Sequence, residues 1–175
     1  MNIEVEVRSF ISKEKFDELF IFFKKNADYL GEDVQETFYF DGKEDVRIQR
    51  NNSFSKIWMK KGKLHDECRE EIEIKCARDD FDKLEKIFTS LGLPVNIKWF
   101  RTRHSFQWGD VIVTLDTTKG YGFIIELEKL SDEANKAAAL ELLQQKFREL
   151  NIPLTPREEF DTKFQEYKLR WKELL

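Results

Sequence analysis

Glu4, Glu6 and Arg8 alternate with Val5 and Val7, and further along Arg69, Glu71, Glu73 and Lys75 alternate with Glu70, Ile72 and Ile74. Side chains along a strand point to opposite faces in turn, so each segment turns ionised groups to one face and mostly Ile, Val or Cys to the other. Arg47 and Gln49 flank Ile48 in the same way, Arg101 and Arg103 flank Thr102, and Glu126 and Glu128 sit among Phe123, Ile125 and Leu127. Both faces therefore have work to do. The apolar one is expected to pack on helices, and the charged one to line a polar interior in which carboxylates, guanidiniums and amines are interleaved. Such an interior suits a polyanion bound together with a divalent metal.

Mg²⁺ and Mn²⁺ favour hard carboxylate oxygens and keep waters that substrate phosphates can replace. Glu4, Glu6, Glu126 and Glu128 supply such oxygens. One Glu-x-Glu on a strand is ordinarily a solvated edge, but two copies at matching parity carry more weight, because an exposed face laced with salt bridges needs no fixed pattern. Phosphate oxygens call for guanidinium forks, with lysine as a point charge. Arg8, Arg47, Lys60, Arg69, Arg101 and Arg103 have compatible parities. The parity that sends Ile57 and Met59 outward selects Lys60 over Lys61. Arg8, Lys60 and Lys75 are the candidate catalytic groups: the two amines could lose a proton, whereas Arg8 stays charged and can stabilise phosphate but not act as a base. His65 and His104 read as structural or solvated, and Tyr121, between two glycines, as part of a turn.

Strand-like segments recur near residues 2–8, 35–41, 45–51, 55–61, 67–76, 97–106, 110–116 and 121–129, enough to close a small barrel. A helix is expected over 12–30, capped by Ser12, with Phe16, Leu19, Phe20, Phe23, Ala27 and Leu30 as its stripe and Gly31 after it. A second, over 80–91, carries Phe81, Leu84, Ile87, Phe88 and Leu91 and would cover the outside of the barrel. Beyond residue 130 the pattern is helical. Ser131 is the expected cap of one helix, and Thr155, Pro156, Arg157 and Glu158 read as a capping box for a last one, whose Phe160, Phe164, Tyr167 and Trp171 must pack on the barrel wall or on a second subunit in a homodimer.

At 175 residues the chain fits one domain, with a tunnel over 1–130 and C-terminal helices over 131–175. Charged residues reach 37%, well above the usual quarter, yet hydrophobic residues are 41% and Phe alone numbers 16, which excludes a disordered chain. The net charge of −4, with both signs mixed throughout, argues against a general nucleic-acid surface. Cys68 and Cys76 lie too far apart along one strand to bridge and read as free, buried thiols. With no signal-like segment and no membrane-length apolar run, a cytoplasmic location and no membrane partner are expected.

The arrangement resembles the CYTH domain, also called the triphosphate tunnel metalloenzyme superfamily, over residues 1–130. The family's opening Glu-x-Glu-x-Lys stands here as Glu4, Glu6 and Arg8, and counterparts follow in order: Arg47; Lys60; Arg69, Glu71 and Glu73; Arg101 and Arg103; Asp116 before Gly120 and Gly122; Glu126 and Glu128. The resemblance implies an α+β fold built on an eight-stranded antiparallel tunnel. It also implies basic residues gripping a triphosphate-containing small molecule, glutamates holding Mg²⁺ or Mn²⁺, and Glu71, Glu73 and Asp116 as supporting carboxylates. Arg8 departs from the usual lysine, and Gln49 stands where a second arginine is common, with Arg50 next to it.

Metal-dependent hydrolysis of a triphosphate, as in inorganic and thiamine triphosphatases, is the leading implied activity. The alternative is a class IV adenylyl cyclase converting ATP to cyclic AMP and pyrophosphate. It needs a base pocket, for which no residues can be named. A non-catalytic polyphosphate- or nucleotide-binding module is the third reading, and retention of every glutamate counts against it.

Overall fold

The computed structural model describes residues 3–61 and 68–174, without the side chains of Cys68 and Arg69. Its strands are β1 (Ile3–Ile11), β2 (Asp28–Phe40), β3 (Asp45–Arg50), β4 (Ser55–Lys60), β5 (Cys68–Cys76), β6 (Val95–Trp108), β7 (Val111–Thr118) and β8 (Gly122–Ser131). Its helices are α1 (Lys13–Asn26), α2 (Phe81–Ser90), α3 (Lys136–Glu149) and α4 (Arg157–Arg170). The strands close a barrel in the order β1-β5-β4-β3-β2-β6-β7-β8. Neighbours are antiparallel throughout, and β8 returns to β1 with Arg8 opposite Glu126 and Glu6 opposite Glu128. The fold class is the one the resemblance implies, an eight-stranded antiparallel tunnel with flanking helices.

The apolar parity packs outward against helices. Phe16, Leu19 and Phe23 of α1 and Ala139, Leu143 and Phe147 of α3 bury against Val5, Val7, Val113, Leu115, Ile125 and Leu127. Each large side chain so buried contributes roughly 1.5–3 kcal/mol. On the opposite wall Phe81, Leu84 and Phe88 of α2 cover Phe38, Phe40, Ile48 and Ile57. Coverage is incomplete on β5, where Ile72 and Ile74 are 46% and 63% exposed, so the expectation that every outer apolar face meets a helix fails there. Cys76, on the same strand, is free and only half-buried. Cys68 and His65 lie outside the described side chains.

Ser12 caps α1 as expected, its side chain accepting from the Lys15 backbone N–H at 3.2 Å. The helix nevertheless ends at Asn26 rather than at residue 30. The reason is tertiary: β6 is long enough to pair with β2 from Asp28 onward, and Tyr29, opposite Phe106, packs its ring 5.1 Å from that partner. Leu30, which fits the helical stripe, is instead an exposed strand residue.

Two C-terminal expectations also change. Ser131 closes β8, and α3 begins only at Lys136. The capping box before α4 does not form: the N-cap is Pro156 without a side-chain bond. The Thr155 hydroxyl is 2.7 Å from that of Ser9 and accepts the Phe10 N–H at 2.9 Å, while Ser9 Oγ donates to the Pro153 carbonyl at 2.6 Å. This latch fixes α4 across one end of the barrel. There Phe164, Tyr167 and Trp171 pack on Ile97 and Trp99, so the helix's apolar face is covered within the chain. Gly120, whose backbone is left-handed (φ +71°), sits directly against the Leu174 side chain just beyond this helix.

Candidate functional site

One parity of each of the eight strands, charged on all but β2, turns inward around a cavity of about 290 Å³. Glu4, Glu6 and Arg8 come from β1, Arg47 and Gln49 from β3, Lys56, Trp58 and Lys60 from β4, and Glu71 and Glu73 from β5. Arg101 and Arg103 of β6, Asp116 and Thr118 of β7, and Glu126 and Glu128 of β8 complete the ring. All the predicted site residues with described side chains are brought together except Lys75. That lysine follows Glu73 at the right parity but lies near the end of β5, 64% exposed and 3.9 Å from Glu73, outside the cavity. Arg69 pairs opposite Glu4 in the backbone, and its side chain lies outside the description.

Asp116 is the pivot of the basic wall. Only 2% exposed, it accepts from Arg103 Nε and Nη2 at 2.8 and 2.7 Å and from Arg101 Nη1 at 3.0 Å. Arg101 is fixed from its other side by the Gln35 carbonyl, at 2.8 Å from Nε and 2.6 Å from Nη2. Gln49 donates to Thr37 at 2.9 Å and to Gln35 at 3.3 Å, so the residue that replaces a family arginine is a neutral brace for the Arg101 network. Arg50 does not substitute for it: it faces outward, bonded to Glu36 at 2.7 Å and lying over the Phe81 ring. Arg47 is clamped by Asp45, at 2.7 Å from Nε, and lies over the Tyr39 ring.

The carboxylates gather on the neighbouring arc. Burial would raise the Glu126 carboxyl, but Arg103, which donates to it at 3.1 Å, together with Arg8, Arg101 and Lys60, holds it down at about 2. Glu128 is pushed the other way, to about 7, by burial and by Glu126 and Glu4 beside it. Burial would also lower the Lys60 ammonium, yet Glu6, Glu4 and Glu71 carry it above its ordinary value. In this arrangement the surrounding carboxylates favour the protonated form of Lys60. Lys75 lies outside the cavity, so of the two amines singled out in the sequence only Lys60 lines it.

Among the described residues, two buried polar atoms of cavity-lining side chains have no hydrogen-bond partner: Arg8 Nη2 and Thr118 Oγ1. Leaving such a group unsatisfied costs about 1–3 kcal/mol, and more when it is charged, so an acceptor supplied by a ligand would stabilise the Arg8 fork. Its Cζ lies 4.7 Å from the centre of the Phe160 ring of α4. That end of the cavity is aromatic. Trp99 packs its ring 4.5 Å from that of Tyr121 and 4.7 Å from Tyr167, and Phe160 and Phe164 of α4 line the wall. Tyr121 is therefore a wall residue as well as part of a turn. Trp58, Trp99, Phe160, Phe164, Lys56 and Thr118 escaped the sequence reading as cavity residues, although the parity of β4 and β7 was a usable signal for Lys56, Trp58 and Thr118. His104 is structural as expected: it meets the Tyr29 hydroxyl at 3.1 Å and the edge of Phe20, away from the cavity.

Among the described residues, seven carboxyl groups and six cations line the space, so a polyanion entering alone would meet carboxylates as well as cations. Divalent cations would offset those carboxylates, and crowded ones such as Glu126 and Glu128 fit such ions chemically. Among the same residues no three carboxylates converge closely enough to ligate one ion as they stand. Lys60 and Arg103 lie between them.

Compared with known proteins, the chain matches the family model described as CYTH domain over residues 2–164. A protein of Methanocaldococcus jannaschii named as a candidate adenylate cyclase is 30% identical over 135 residues, which is 71% of this chain and 76% of that protein. A conserved hypothetical protein from Pyrococcus furiosus superposes with a TM-score of 0.78 at 22% identity, over 88% of this chain and 96% of its own. A candidate adenylyl cyclase from Hippeastrum, described as having a dominant triphosphatase activity, superposes with a TM-score of 0.67 at 18% identity, over 95% and 96% of the two chains. At these identities the structural likenesses speak for the fold.

Proposed function

The chain belongs to the CYTH domain family, and from that membership we propose that it hydrolyses a triphosphate, inorganic or organic, with Mg²⁺ or Mn²⁺ as cofactor. The observation that carries this reading is the unpaired, buried Arg8 Nη2 within a ring of fixed guanidiniums. Arg8, Arg101 and Arg103, with Arg47 and Lys56, would hold the phosphoryl groups and offset charge developing on the leaving oxygen, the main requirement of phosphoryl transfer. Glu4, Glu6, Glu126 and Glu128 would hold the metal, whose chemistry when bound is to neutralise phosphate oxygens and lower the pKa of water. Asp116 and Gln35 keep the arginine forks aimed, so that little reorganisation is needed as charge moves.

The cavity volume, about 290 Å³, lies at the lower edge of the roughly 300–1,000 Å³ of small-molecule sites, which favours a compact substrate. Trp99 and Tyr121, the cavity rings suited to stacking on a nucleobase, are engaged by Phe164 and Tyr167 of α4 or by each other. Hydrolysis is therefore preferred over cyclisation of ATP, the activity in the name of the Methanocaldococcus relative.

Thermal unfolding with tripolyphosphate and Mg²⁺ tests the reading. Ligand at a hundred times its Kd stabilises the native state by about 2.7 kcal/mol. At this chain length that raises the Tm by about 5–10 °C. No shift with any triphosphate, with or without metal, would refute the site.

A further inference from the structure

We propose that Lys60 is a tethered cation that holds the carboxylate cluster together and is displaced from it when a divalent ion binds. The proposal rests on the metal-dependent reading above and concerns how that site is gated. The Lys60 ammonium donates to Glu4 and lies 3.2 Å from Glu71 Oε2 and 3.7 Å from Glu6 Oε2, so it ties together carboxylates from β1 and β5. The residue is only 9% exposed, and its charge also reaches Glu126 and Glu128 on β8. It is thus the positive centre of a five-carboxylate cluster.

The same oxygens are those a metal would need, and an ammonium and a divalent ion within a few ångströms of each other repel too strongly to share them. One of the internal cations must yield. Arg103 is locked by two bonds to Asp116 and one to Glu126, whereas Lys60 ends a flexible four-carbon stem. Lys60 is therefore the cation that moves. Released, its ammonium remains in the cavity, where the phosphates of the substrate offer new acceptors. Metal and triphosphate would then bind cooperatively through one lysine.

Titration of the full chain with Mn²⁺ alone, followed by calorimetry, tests this. Lys60→Met keeps most of the stem and removes the charge. It should bind Mn²⁺ at least tenfold more tightly than the wild type. Lys61→Met, which removes an equal charge from an exposed neighbour paired with Glu70, should bind as the wild type does. Without metal, Lys60→Met should unfold at lower temperature than the wild type, and Mn²⁺ should raise its Tm by more than it raises the wild type's. If the variant does not fold without metal, recovery of its circular dichroism on adding Mn²⁺ supports the proposal, and failure to recover counts against it. A folded Lys60→Met that binds Mn²⁺ no more tightly than the wild type overturns the displacement while leaving the metal site standing. Equal tightening in Lys61→Met also overturns it. No Mn²⁺ binding by any of the three proteins overturns the metal reading itself.

Discussion

The guanidinium of Arg8 lies over the ring of Phe160, 4.7 Å from its centre, so the last helix of the chain supports a cation on the first strand. A cation–π contact of this kind contributes about 0.5–2 kcal/mol. Phe160→Leu should raise the KM for tripolyphosphate about three- to tenfold with a smaller change in kcat, because the fork loses its support but keeps its charge. Phe160→Tyr should restore the KM. Steady-state kinetics on both variants check this, and an unchanged KM in a folded Phe160→Leu protein would mean that Arg8 is positioned by other contacts.

Glu128, with its carboxyl at about 7, predicts how metal affinity follows pH. A divalent ion needs the ionised carboxylate, so the apparent Kd for Mn²⁺ should rise by up to tenfold per unit as the pH falls below about 7 and level off above it. Glu128→Gln should flatten that part of the profile. The group also affects stability: the native state keeps this proton up to about pH 7, whereas the unfolded chain loses it near the ordinary glutamate value. Its contribution is therefore full below about pH 4.5 and is lost as the pH rises through about 7. Urea unfolding without metal should show the wild type losing stability across that window relative to Glu128→Gln.

Thr155 and Ser9 join the α3–α4 linker to β1 immediately after Arg8. Thr155→Val leaves the Phe10 N–H without its acceptor and should cost about 1–3 kcal/mol. This corresponds to a fall in Tm of about 2–4 °C for each kcal/mol. A loss below 0.5 °C in differential scanning calorimetry would show that the latch contributes little.

The inner wall was legible because strand parity survives folding: Glu4, Glu6, Arg8, Arg47, Arg101, Arg103, Glu126 and Glu128 all face the cavity, and Lys60 faces it while Lys61 does not. Parity is local and says nothing about where a cavity ends, which is why Lys75 looked equivalent to Glu73. Nor does it say which outer faces find a helix, and Ile72 and Ile74 do not. The aromatic end was hidden for a different reason. Phe160 and Phe164 reach the cavity from a helix tied back to β1 by Thr155 and Ser9, a contact between residues at opposite ends of the chain. The same contact took Thr155 from the helix cap that its local sequence favours. Asp116 could be assigned to the site, but not its role as pivot for Arg101 and Arg103, because that depends on the register of β6 against β7.

The most direct test of the account is chromatographic analysis of the products formed from tripolyphosphate and, separately, from ATP in the presence of Mn²⁺. The account predicts orthophosphate and pyrophosphate from tripolyphosphate, at a rate reduced at least a hundredfold in Glu126→Gln, and no cyclic AMP from ATP. Cyclic AMP as the main product from ATP would contradict it in favour of a cyclase, and no product from either substrate would contradict it in favour of a binding module.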